Sequence, residues 1–241
     1  MENKVVTSIL NGVLGSVMKS HGFKRKDRVY YKETNGIVFL LGTQAVGNYF
    51  AQVTGFPSHT FSLVEGFWIP EIDYRNTQVN PVSSDIQLPD IFATNTVFHI
   101  NDRSDGHILR KAPKPYLYLH LNNPAEMERT DLWLLPDDDE EQCMLLDELR
   151  QQVTDCFLDK YEMIANDRSK LKEYTIDKLR QYNIERGYDE NKPFVSDSYC
   201  GNYRHYLDYA VLFYKKFGPA ELYNQYAALL NKWQNANPCL K

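Results

Sequence analysis

Asn35-Gly36 constrains this chain more than any other pair of residues in it. The two stand between the strand-like runs Val29 to Lys32 and Ile37 to Leu41. A two-residue hairpin of type I′ needs positive φ at both central positions, which Asn and Gly tolerate best. The pair therefore predicts an antiparallel hairpin. Gly47-Asn48 is a second turn signal, ahead of Tyr49 to Val53, and Phe61 to Ile69 follows a break at Gly55 to Ser58. Four strands with short connections make a meander, and its apolar face needs a cover.

The cover comes from upstream. Val6, Ile9, Leu10, Val13, Leu14 and Val17 recur at helical spacing and predict an amphipathic helix from about Asn3 to Ser20. Asn3 reads as its N-cap and Gly22 as the left-handed residue that ends it, with Phe23 folding back on the last turn.

Downstream the pattern lapses between Pro70 and Asn95. Pro70, Pro81 and Pro89 forbid ladder hydrogen bonds, so this stretch reads as a lid-like functional loop or an ordered surface excursion. Short strands resume at Val97 to Ile100 and Ile108 to Arg110. Tyr116 to Leu121 alternates, with Leu117, Leu119 and Leu121 on one face and Tyr118 and His120 on the other. Asp131 to Leu135 is the last expected strand. Pro136 and Asp137 open a helix to about Tyr161, with Leu146, Leu149, Val153, Cys156 and Phe157 on its buried stripe. Helical spacing then continues through Leu171 to Tyr182, Tyr203 to Phe217 and Leu222 to Trp233, with Pro219 at a first helical position.

The expected fold is α+β: an N-terminal helix packed on an antiparallel β-meander, followed by an all-helical C-terminal part. Residues 1–162 are expected to form the α+β domain and 163–241 a helical extension. Hydrophobic residues make up 43% of the 241, enough for a core that needs no disulfide or metal staple. Cys143, Cys156, Cys200 and Cys239 contain no C-x-x-C pair and read as reduced thiols of a cytoplasmic protein. Thr7, Ser8, Asn11 and Ser16 interrupt the first apolar positions, so no secretory segment is expected there. No stretch approaches the roughly 20 apolar residues of a membrane span.

Net charge is -5, which provides no general basic field for nucleic acid. The charges are unevenly spread. Lys19, Lys24, Arg25, Lys26, Arg28 and Lys32 form a basic cluster. Asp137, Asp138, Asp139, Glu140 and Glu141 form an acidic run without the alternating ligands and central Gly of a calcium loop. Asp137, Asp138 and Asp139 are read as serving the helix start, where carboxylates favour the positive helix end. Glu140 and Glu141 are read as an outward negative surface for a basic partner.

None of the six histidines has metal-ligand spacing. His99 and His120 fall on adjacent predicted strands and are the pair that would meet, with Asp102 and Asp105 close in sequence to His99. A metal or acid/base centre needs a third such group. Trp68, with Phe67 and Phe56, reads either as pocket lining or as core. The sequence holds no G-x-S-x-G, Walker A or G-x-G-x-x-G. The binding candidates are thus Trp68, Tyr118, His99, His120, Glu140 and Glu141. No catalytic residue, metal or cofactor is assigned.

One resemblance accompanies these motifs. A first helix ending in HGFKRKDRVYYKE, then Gly42-Thr43-Gln44 on the second strand, then LWLLPDDDEE, resembles the bacterial domain-of-unknown-function family numbered 4304. The likeness covers about residues 1–70 and 130–160. It implies a helix on an antiparallel sheet and supplies no catalytic residues. The Pro-rich loop and the C-terminal helices depart from that pattern.

Two function classes follow. One is a cytosolic binding or interaction protein, immunity-like or accessory, that grips one protein partner. The other is an enzyme whose site is dispersed over strand ends and the Pro-rich loop 70–95. The charge asymmetry, the many tyrosines and the missing catalytic motif favour the first.

Overall fold

In the computed structural model, which describes residues 4–45, 59–73, 98–99, 116–120, 123–129, 133–185 and 200–236, helix α1 (Lys4–Ser20) buries Val6, Leu10, Val13, Leu14 and Met18. These positions share one face at 3.6 residues per turn. Gly22 ends the helix at φ 79°. The Gly22 amide donates to the Lys19 carbonyl at 3.0 Å and the Phe23 amide to the Met18 carbonyl at 2.9 Å. That pattern satisfies two orphan carbonyls and turns Phe23 inward. The Lys32 ammonium adds a bond of 2.7 Å to the His21 carbonyl.

The chain divides into two compact units, Met1–Trp68 with Pro89–Glu162 and Ile69–Leu88 with Met163–Lys241. The first is a helix-covered sheet. Its strands β1 (Lys24–Lys26), β2 (Val29–Thr34), β3 (Ile37–Ala45), β4 (Thr60–Trp68) and β5 (Phe98–His99) pair antiparallel in that order. A separate two-stranded sheet joins β6 (Tyr116–His120) to β7 (Asn123–Arg129), and β8 (Trp133–Leu134) pairs with β4. Asn35 at φ 55° and Gly36 at φ 75° form the tip between β2 and β3, where Thr34 opposes Ile37.

The meander differs from expectation in one respect. β3 runs to Ala45 and pairs with β2 over Ile37 to Gly42 and with β4 along Val38 to Ala45, with Val38 opposite Trp68 and Ala45 opposite Phe61. β3 and β4 are thus direct neighbours, where the sequence placed another strand between them in the meander. The run Tyr49 to Val53 and the Gly47-Asn48 turn lie outside the described residues, as do Ile108 to Arg110 and most of the Pro-rich stretch.

One face of the sheet carries Phe39 and Phe67, opposite each other with ring centroids 5.8 Å apart. It is covered by α1 and by a long helix, α2 (Asp139–Gln152) continuing through a π turn (Val153–Leu158) into α3 (Asp159–Asn166). Phe39 lies 4.6 Å from the Tyr161 ring, and Phe23 lies 5.7 Å from Phe157 and 5.3 Å from Tyr161. The wider π turn lets the neighbours Phe157 and Leu158 both be buried beside Val153.

The second unit is helical. Asp167 caps α4 (Arg168–Lys172), which passes through a π turn (Glu173–Asp177) into α5 (Lys178–Glu185). Helices α6 (Cys200–Phe217) and α7 (Ala220–Ala236) form an antiparallel hairpin around Gly218-Pro219. Gly218 is required by close approach: an added Cβ would collide with the Tyr214 ring and come within 3.1 Å of the Tyr214 Cα. A 3₁₀ turn, Pro70–Ile72, packs on α6, and its Glu71 pairs with Lys216.

Candidate functional site

The acidic helix start is built on the last strand of the main sheet. The Leu135 amide donates to the His59 carbonyl at 3.2 Å, which fixes the chain just before Pro136. Asp138 then takes an extended conformation, φ -80° and ψ 129°, as the N-cap. Its carboxylate accepts from the Glu140 amide at 3.0 Å and the Glu141 amide at 2.9 Å. One side chain thus satisfies two of the four orphan donors of this helix end.

This corrects the expectation that Asp137, Asp138 and Asp139 share the capping. Asp138 does it alone. The Asp137 side chain is 95% exposed and lies 3.5 Å from the His59 imidazole, at ion-pair range only. Asp139, Glu140 and Glu141 are exposed in the first turn, with no side-chain partner among the described residues. The backbone geometry that assigns the cap turns Glu140 and Glu141 outward. What they offer is uncompensated negative charge beside the exposed side chain of Met144.

The other candidates are dispersed. Trp68 is buried at the end of β4, opposite Val38, and Phe67 is fully buried, stacked on Phe98 at 5.4 Å. His99 opposes Gly66 in the main sheet, whereas His120 opposes Asn123 and Tyr118 opposes Met127 in the two-stranded sheet. The histidine strands are therefore not neighbours, because β5 takes the edge of β4 while β6 takes β7. The side chains of His99, Tyr118 and His120, and all of Phe56, Asp102 and Asp105, lie outside the described residues. Among the described residues no three His, Cys, Asp or Glu side chains gather as metal ligands would.

Two polar features escaped sequence reasoning. Glu65 is only 5% exposed, on the face of β4 that also carries Phe67. A lone charge inside the apolar run Phe61 to Trp68 was its signal. Burial raises the pKa of the Cys156 thiol, Lys160 opposes that rise, and Asp155 and then Glu65 add smaller increments to it. A thiol held in its neutral form is a poor nucleophile.

The second is a tyrosine seam between α6 and α7. The Tyr206 hydroxyl donates to the Tyr226 hydroxyl at 3.0 Å, and the Tyr214 ring stacks on Tyr226 at 5.0 Å. Burial, aided by Tyr226 and Asp177, pushes the Tyr214 phenol up to about 12. These hydroxyls mainly satisfy one another, which is a packing arrangement.

No family model, curated protein or solved structure matches this chain. No helix among the described residues is long and apolar enough to cross a membrane.

Proposed function

We propose that this chain is a cytosolic binding protein that presents the first turn of α2 to a basic protein partner. The observation that carries this reading is the division of labour at the helix start. Asp138 alone accepts the cap hydrogen bonds, so the carboxylates of Glu140 and Glu141 serve the helix only through its dipole and stay free of any side-chain partner among the described residues. Charges of one sign at an exposed patch steer association and select partners more than they add affinity. The thiols are consistent with a reducing compartment: Cys143 and Cys156 are both free. The resemblance to the domain-of-unknown-function family numbered 4304 belongs to the same proposal and rests on the short motifs quoted for it.

The test uses a lysine- and arginine-rich peptide as probe. Binding is measured by surface-immobilised kinetics for the natural chain and for the pair Glu140→Lys, Glu141→Lys. The proposal expects binding that weakens with salt and is lost in the variant. Equal affinity and equal association rate in both would reduce the acidic turn to a solvated face.

A further inference from the structure

The basic edge of the sheet and the acidic helix start lie at opposite ends of one helix layer. β1 closes the sheet at one edge and exposes Lys24, Arg25 and Lys26. Arg25 is occupied within its own turn, its Nε donating to the Asp27 carbonyl at 2.8 Å. Lys32 is occupied by the His21 carbonyl and the Tyr161 ring. The ammonium groups of Lys19, Lys24 and Lys26 have no partner among the described residues. They are the counterpart of Asp139, Glu140 and Glu141.

The two charge sets do not neutralise each other within a molecule. α1 packs along α2, and Phe23, just past the end of α1, touches Phe157 and Tyr161. The two helices therefore run in the same direction, with Lys24 following Phe23 at one end and Asp139 at the other. Asp139 to Tyr161 spans about 30 Å at ~1.5 Å per residue. That is several times the screening length of about 8 Å at physiological salt. Opposite free charges at the two ends of the helix layer of the sheet unit complement a second copy of that unit by a head-to-tail contact, which does not close on itself as a twofold contact does.

We propose that this chain associates head to tail with a second copy of itself, Lys19, Lys24 and Lys26 of one copy meeting Asp139, Glu140 and Glu141 of the next. The inference rests on the reading that the acidic turn binds a basic partner, and it names that partner. β1 is too short and too charged to extend the sheet into another chain, so the contact is electrostatic and not a shared ladder. Exposed ion pairs are individually weak, and the association is therefore concentrated at low salt.

Sedimentation velocity on the full chain tests it, at about 10 mM and about 150 mM ionic strength. Two neutralised variants accompany the natural chain: Lys19→Gln with Lys24→Gln and Lys26→Gln, and Glu140→Gln with Glu141→Gln. Unchanged melting curves establish that both fold. The expected result is a mass that climbs with concentration at low salt for the natural chain and stays at 28.2 kDa for each variant alone. An equimolar mixture of the variants should stop at a one-to-one dimer, since only one complementary contact remains. A natural chain that stays monomeric at every concentration overturns the inference, as does a variant that still associates alone or a mixture that fails to pair. The same samples titrated with the basic peptide separate the two levels. Peptide binding by a monomeric chain sinks only the self-association, whereas undiminished peptide binding by the Glu140→Gln, Glu141→Gln variant sinks the underlying reading.

Discussion

The two units are both rich in aromatic residues and use them in different ways. In the sheet unit the buried rings are mainly phenylalanines: Phe23, Phe39, Phe61, Phe67 and Phe157, with Trp133 stacked on Phe61. In the helical unit they are mainly tyrosines: Tyr203, Tyr206, Tyr209 and Tyr214, with Tyr226 joined to them. A phenylalanine core is held by area and shape alone. A tyrosine seam adds hydroxyls that must find partners when buried, which ties the register of α6 to that of α7. The two cores are therefore held differently, one mainly by area and one also by paired hydroxyls, although the sheet unit keeps its own buried phenol in Tyr30, whose pKa burial raises.

The largest effect that would sharpen this contrast is Phe39→Ala. Phe39 is fully buried between Phe67 and Tyr161, so the substitution should destabilise by about 3–5 kcal/mol, read by chemical denaturation. A loss under about 1 kcal/mol would mean that the sheet unit is not held by that layer. The tyrosine seam predicts a smaller loss with a pH signature. Tyr226→Phe removes the hydroxyl that accepts from Tyr206 and should cost about 1–2 kcal/mol. In the natural chain Tyr214 has a folded pKa raised from 10.0 to about 12. Its contribution is fully present below the unfolded value and is lost as pH rises from 10 to 12, because the unfolded phenol ionises first. Denaturation between those pH values should show a fall on the order of 1–2 kcal/mol, and a flat profile would contradict the buried seam. Smallest is the cap, where Asp138→Ala should lose about 1 kcal/mol and Asp137→Ala less than about 0.5 kcal/mol.

Much of the fold was legible because its signals are local. Asn35-Gly36 needs only its own backbone preference, and α1 needs only its period. β1 was not legible, since Lys24-Arg25-Lys26 has no apolar alternation and is a strand only because β2 offers it an edge. β7 was hidden for a similar reason: Pro124, Glu126 and Glu128 oppose a strand, and pairing with β6 overrides them. The meander order depended on where β3 stops, a boundary that the run from Gly42 to Gln44 leaves open. At the site, the outward direction of Glu140 and Glu141 followed from helix geometry. Which aspartate caps depended on the φ and ψ of a single residue, a choice that one position in either direction changes.

The central claim is that folding and recognition are assigned to different carboxylates of one helix turn. It is tested most directly by measuring both properties on the same two variants, Asp138→Ala and the pair Glu140→Lys, Glu141→Lys. The account predicts a crossed result. Asp138→Ala should lower the melting temperature and leave the association rate of a basic peptide nearly unchanged. The lysine pair should leave the Asp138 cap in place, lower the melting temperature only by the lost helix-dipole interaction of about 0.3–1 kcal/mol per charge, and abolish the fast, salt-sensitive association. Loss of association in Asp138→Ala, or no loss of association in the lysine pair, would contradict it.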